Sequence, residues 1–221
     1  RVIFVNTRVL RMLGAGDRAA ARGDLTSAIA SYTRAVALQP TMSQAYERLC
    51  HATSLHGRHD EALHCCQTAL ALHPSSSFLH LLSAEEHAAL GAFAKAALSY
   101  ARADALTAPD ADTRLNWGIT LTAAGRGSEA IERLRSAVSL APTYATAYTE
   151  LARALESRAL DSVEARHAAV RLSPATAGLR VEHGNALQAG RRPTEAAAAM
   201  RRALQLAPVE ASLAAYFGLG G

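Results

Sequence analysis

The fold class that the sequence predicts is all-α, a solenoid of six stacked helix pairs with the start of a seventh. Three observations predict it. Proline recurs at Pro40, Pro74, Pro109, Pro142, Pro174 and Pro208, at intervals of 34, 35, 33, 32 and 34 residues, and self-similarity at a fixed period of this size marks stacked repeats. Half of the chain is apolar but only 5% is aromatic. Alanine, the best helix former, is abundant, and long stretches lack the β-branched and aromatic runs of strands. Between the prolines apolar residues fall at helical spacing, as in Ala62, Cys66, Ala69, Leu70 and Leu72.

Each unit is legible from its punctuation. A mid-unit glycine stands at Gly23, Gly57, Gly91 and Gly125, with Gly190 one place early. There a first helix ends and the chain turns through a left-handed conformation. Ala28, Ala62, Ala130 and Ala196 stand twelve residues before a closing proline, with Ala96 in the third unit. Ala35, Ala69, Ala137, Ala169 and Ala203 stand five before it, with Ala103 in register. These small residues mark where two antiparallel helices approach closely. Leu38, Leu72, Leu140, Leu172 and Leu206 lie two before their prolines, and Leu106 three before Pro109. Proline then stops the second helix, because it lacks an amide hydrogen and crowds the preceding turn.

The units run 9–42, 43–76, 77–110, 111–144, 145–176 and 177–210, after an extension at 1–8 and before a partial repeat at 211–221. The fifth is two residues short and has no glycine at its turn. This predicts irregular geometry, with Asp161 or Ser162 capping its second helix. In the sixth, Pro193 suits a first helical position. Ala214, Ala215, Tyr216 and Phe217 are not the polar residues of a capping helix, and the chain opens on arginine. A piece of a longer protein is the expectation.

The array resembles the tetratricopeptide repeat family. Tyr46, Leu49, Ala62, Ala69 and Pro74 carry the resemblance in the second unit, and Trp117, Gly118, Ala130, Ala137 and Pro142 in the fourth. Gly16, Ala28, Tyr32, Ala35 and Pro40 carry it in the first, and Ala96, Tyr100 and Ala103 in the third. It spans about residues 9 to 218. The resemblance implies a right-handed superhelix whose first helices line a concave groove that holds peptides or helices. Carried over, the groove presents Asp17, Glu47, Arg48, His51, Phe78, Leu81, Leu82 and Glu85, then Leu115, Asn116 and Ile119. Glu150, Arg153, Glu156, Glu182, Asn185 and Gln188 follow. Phe78, Leu81, Leu82, Leu115 and Ile119 would form a central apolar strip between charged and amide groups, as a peptide groove requires. Two ligand codes of the family are missing. The positions of its carboxylate clamp read Glu47, His51, Leu82, Asp112 and Asn116, and only Asn116 obeys its asparagine ladder.

Other function classes fall away. The net charge of +4 comes from arginines scattered among acidic residues, Lys95 being the only lysine, so there is no nucleic-acid footprint. The arginine- and alanine-heavy composition points to a bacterial source. No apolar window approaches a membrane span. Cys50, Cys65 and Cys66 make an odd count without a secretory signal, which predicts no disulfide framework and a reducing, cytoplasmic setting. Seven of nine histidines lie between His51 and His87, the raw material of a metal site. Register assigns them otherwise. His80 and His87 take large core positions, and His56, His59, His64 and His73 take turns or outward faces. Gly14-Ala15-Gly16 has no preceding strand, and Glu85 and Glu86 diverge on a helix, so no phosphate loop or acid–base pair is present. The expected function is a non-catalytic scaffold for a protein or peptide, with no cofactor and no metal. The second expectation is the recognition arm of a larger bacterial sulfotransferase or glycosyltransferase.

Overall fold

The computed structural model describes residues 7–206, and among them it holds twelve α-helices and no strand. The segment at 211–217, Pro208 and most of the 1–8 extension lie outside the described residues. The chain divides into two compact units, Arg1–Pro109 and Asp110–Gly221. In the first are α1 (Thr7–Ala21), α2 (Leu25–Leu38), α3 (Ser43–Leu55), α4 (His59–Leu72), α5 (Ser77–Ala89) and α6 (Phe93–Leu106). In the second are α7 (Ala111–Ala123), α8 (Gly127–Leu140), α9 (Ala145–Glu156), α10 (Val163–Leu172), α11 (Ala177–Ala189) and α12 (Pro193–Leu206). Within each unit consecutive helices pack as pairs, and the second helix of one pair packs on the first helix of the next.

The helices start and stop where local chemistry dictates. Asp24, Ser76 and Asp110 accept the free amide hydrogens of Ser27, Leu79 and Thr113. Pro193 opens α12, where its missing amide hydrogen costs nothing. Leu38, Leu72, Leu106, Leu140 and Leu172 are the last helical residues before their prolines, and their side chains are exposed rather than core.

Gly23, Gly57, Gly91 and Gly125 all take left-handed backbone, with φ between +72° and +77°. Gly190 does not. It caps α11 with φ −76°, and Arg191 behind it takes the left-handed place at φ 58°. In the fifth pair Ala159 does the same at φ 54°. The conformation is fixed by distance from the helix end, so a glycine one place early cannot supply it.

Inside each pair a second-helix side chain sits three residues before the register alanine. Tyr32, Cys66, Tyr100, Leu134 and Met200 hold this place, ahead of Ala35, Ala69, Ala103, Ala137 and Ala203, and all are buried. The first helix faces them with small residues. A β-carbon on Gly118 would stand 2.5 Å from Leu134 Cγ, one on Gly184 would stand 2.8 Å from Met200 Cε, and one on Gly16 would overlap the Tyr32 ring. Around these contacts lie Val9, Leu13 and Ala52 in the first unit, and Ile131, Leu151 and Leu155 in the second. The fifth pair departs from the others. Its α10 has 10 residues, where the other second helices have 14. Ser162 occupies the cap position, but the Asp161 carboxylate accepts the Val163 amide hydrogen at 2.9 Å. The Ser162 hydroxyl is turned to Glu156, at 2.7 Å.

The cysteines overturn one expectation. Cys50 on α3 and Cys65 on α4 form a disulfide with Cα atoms 5.4 Å apart. The tight turn between the two helices brings residues distant along the chain face to face, which an odd count concealed. Cys66 remains a thiol in the core, its pKa pushed up to about 12 by burial, with Glu86 second.

Two measurements test this account. Gly57→Ala is expected to cost about 1 kcal/mol, because a β-carbon disfavours left-handed backbone, and Arg191→Gly to gain roughly half of that or more. Equal urea midpoints for the three proteins would refute it. Reducing the Cys50–Cys65 bond, which spans a sequence separation of 15, is expected to lose about 2–3 kcal/mol. The reductant should therefore lower the thermal midpoint of the wild type and leave that of the Cys50→Ser/Cys65→Ser variant unmoved.

Candidate functional site

In the first unit the expected ligand-facing residues lie on α1, α3 and α5. Four of them, Asp17, Arg48, Glu47 and Leu82, are committed to the fold. Asp17 accepts from Tyr32 Oη at 2.8 Å and from Arg48 at 2.7 Å, tying α1, α2 and α3 together. Burial, then the Asp17 bond, pushes the Tyr32 hydroxyl up to about 12. Glu47 accepts from Ser43 at 2.8 Å and Ser76 at 3.0 Å. Leu82, 3% exposed, belongs to the core with Tyr46 and Leu79 and offers no surface to a ligand. Leu81 is half-buried. His51 and Phe78 are brought together, rings edge to face with centroids 6.0 Å apart, and Phe78 is 43% exposed. Glu85, also on α5, is exposed, yet packing around its carboxyl, with the Glu86 charge second, raises its pKa.

In the second unit Leu115 is likewise core, at 3% exposure, because it points between α7, α8 and α9. Both leucines were expected in an apolar strip, and both serve packing instead. Asn116 and Ile119 on α7 remain exposed. Arg153 on α9 is exposed and paired with Glu150 at 2.7 Å. Asn185 and Gln188 on α11 are exposed as well.

Next to Asn185 stands a residue that the family pattern did not single out. Arg166 occupies the place, three before Ala169, that the other five pairs give to Tyr32, Cys66, Tyr100, Leu134 and Met200. It is 4% exposed. Its guanidinium donates to both Glu156 oxygens, at 3.0 and 2.8 Å, and to Glu182. Burial acts to raise the Glu156 pKa, but the hydrogen bonds from Arg166 and Ser162 outweigh it and hold the carboxyl below the ordinary range. The two carboxylates, about two-fifths exposed, border a cavity of about 640 Å³. Asp161, Leu160, Asn185 and Ala186 also stand in its wall. The shortened fifth pair opens this space, and the buried charge polarises it. Register could have found Arg166, since one position in six breaks an apolar column.

The histidines distribute as packing and capping groups. His80 bonds the Pro74 carbonyl at 3.0 Å, and His87 that of Ser83 at 2.7 Å. His59 opens α4 with its side chain 42% exposed, and its Nδ1 lies 2.8 Å from Glu86, which is 1% exposed. Among the described residues no group of three His, Cys, Asp or Glu side chains could hold a metal ion.

Antiparallel helix pairs repeated in register, with a small residue facing a large one inside each pair, define a helical repeat array. Residues 56–111 match the family model described as tetratricopeptide repeat. The chain is thus a helical repeat array, and within it residues 56–111 are similar to tetratricopeptide repeats. Solved structures share its fold. YrrB, a TPR protein with an unusual peptide-binding site, superposes with TM-score 0.74 at 16% identity, over 80% of this chain and 92% of its own. MamA gives TM-score 0.70 at 20% identity, over 76% of this chain and 92% of its own. The APC/C hetero-tetramer Cut9–Hcn1 gives 0.64 at 18% identity, over 96% of this chain and 43% of the matched one. No curated protein matches the sequence.

The cavity yields a prediction of opposite signs. Arg166→Met restores the apolar column and is expected to leave stability equal or raised by about 1 kcal/mol, whereas Glu156→Ala, which strips a partner from the buried guanidinium, is expected to lower it by roughly 1–3 kcal/mol. Chemical denaturation reads both, and an Arg166→Met protein less stable than Glu156→Ala would show that the ion cluster exists to hold the fold.

Proposed function

We propose that this chain is a non-catalytic interaction scaffold that holds a segment of another protein on the exposed faces of its first helices. The cavity beside Arg166 is its most selective point. The observation that carries the reading is Arg166 itself. A buried guanidinium in a column of apolar side chains costs several kcal/mol of desolvation that an apolar residue would avoid. Such a cost is understandable where the charge serves recognition. The cavity volume of about 640 Å³ lies in the range that receives a side chain or small ligand. Its wall mixes apolar surface at Leu160 and Ala186 with the carboxylates and the Asn185 amide. The exposed Phe78–His51 pair in the first unit is a second anchor of the kind that binding surfaces use.

The fold analogy agrees. YrrB has an unusual peptide-binding site and Cut9 is held in a complex with Hcn1, and the analogy of fold carries that class of role to this chain, with no partner named. No described helix is long and apolar enough to cross a membrane.

A displayed random-peptide library tests the reading. Panning over the wild type is expected to enrich a consensus sequence. Asn185→Arg with Leu160→Arg, both exposed positions on the cavity wall, is expected to weaken the enriched peptide at least about tenfold without moving the melting midpoint. Failure to enrich any consensus, or equal binding to the double variant, would sink the proposal.

A further inference from the structure

A second cavity lies in the Asp110–Gly221 unit, bounded by α10, α11 and α12, and shares no wall residue with the one beside Arg166. Its volume is about 720 Å³. Arginines from every bounding element converge on it: Arg171 from α10, Arg180 from α11, Arg202 from α12, and Arg192 just ahead of α12. Two carboxylates share the wall, Glu164 and Glu195, so the arginines exceed them by two.

The individual partners matter more than the sum. Arg192 is closed off by Glu195 through two hydrogen bonds of 2.8 Å. Arg180 donates to the Pro174 carbonyl at 3.0 and 3.2 Å, which orients the guanidinium without neutralising it. Arg171 and Arg202 have no hydrogen-bond or ion-pair partner among the described residues. His167 and His183 lie side by side in the wall, ring centroids 5.5 Å apart. Burial, then the neighbouring His167 and Arg192 charges, lowers the His183 pKa, and its Nδ1 is buried without a partner. The rest of the lining is apolar, with Val163, Val170 and Leu187 among it.

The fold alone does not produce this. The matching space in the first unit, between α2 and α4 over α3, is lined by residues such as Ile29, Tyr46, Leu49, Asp60 and Glu61, with no arginine. Same architecture, opposite charge.

We propose that the cavity among α10, α11 and α12 binds a phosphate monoester whose organic body rests on the apolar floor. The uncommitted arginines supply planar, charge-assisted donors suited to a phosphate dianion. The apolar floor distinguishes an ester from the bare ion. The imidazole pair at the wall reports its arrival, because a dianion beside His183 favours the charged ring that burial, His167 and Arg192 now disfavour.

The test uses the full chain and NMR of the histidine rings, with phenyl phosphate, inorganic phosphate and a phosphotyrosine peptide as probes. Phenyl phosphate is expected to shift the His167 and His183 signals saturably and to bind several-fold more tightly than inorganic phosphate. Arg171→Ala with Arg202→Ala is expected to weaken phenyl phosphate at least about tenfold, and the corresponding pair of lysine substitutions to recover part of the loss. Arg135→Ala on α8, outside the cavity, should change nothing, and unchanged melting of all variants guards against unfolding. Tighter binding of the peptide than of phenyl phosphate would assign the ester to a phosphorylated protein, and the reverse order to a free small molecule. No saturable shift at millimolar probe, equal binding to the alanine double variant, or displacement by chloride at matched ionic strength would overturn the proposal. None of these readouts involves the cavity beside Arg166.

Discussion

The closeness with which two antiparallel helices can approach governs everything in these units. A first helix presents a small residue where the second sends a large one across, and the gap is filled to contact. Gly118 against Leu134 and Gly184 against Met200 leave no room for even a β-carbon. Packing at this density makes each pair a rigid block with an apolar stripe that only the next pair can cover. Turn geometry follows from it, because helices this close must be joined by a connection that reverses within a few residues. A left-handed residue just past the helix end does so. Where glycine is absent, Arg191 and Ala159 adopt the conformation anyway. Tertiary packing overrules the local preference.

The fifth pair relaxes the same constraint. Its second helix is short, and an arginine stands where the others send an apolar side chain. A guanidinium cannot be left unpaired in such a place. Glu156 from the preceding helix and Glu182 from the following one supply the countercharge, and both keep part of their surface toward solvent. The consequence is a polar cavity with both carboxylates in its wall. The neighbouring α10, α11 and α12 gather arginines on a different cavity, so this unit carries two charged recesses while the first unit carries an aromatic pair and a recess with Asp60 and Glu61 in its wall.

The helix pairs were legible because their signals are local and recur: a proline that stops, a glycine that turns, an alanine that admits close approach. The candidate site was legible in part. His51, Phe78, Asn116, Ile119, Asn185 and Gln188 are surface residues, as a pattern of first-helix positions suggests. Leu82 and Leu115 read the same way in that pattern and are buried. Helical spacing says which residues share a face, and burial depends on what the neighbouring helix brings to it. The Cys50–Cys65 bond, the Glu86–His59 pair and the Arg166 cluster were hidden for a related reason. Each joins residues from different helices, and their meeting depends on rotation and rise that composition does not record.

The sequence by itself determined the all-α class and the recurring alternation of helix and turn, since those rest on backbone chemistry acting within a few residues. Only the tertiary structure decided which charges are buried, which cysteines meet and where the cavities open. These are properties of surfaces brought together, and a shift of one helical position turns a side chain by about 100°. A column of apolar residues with one arginine in it is visible as a pattern. That the arginine finds two carboxylates and opens a recess is visible only once the helices are packed.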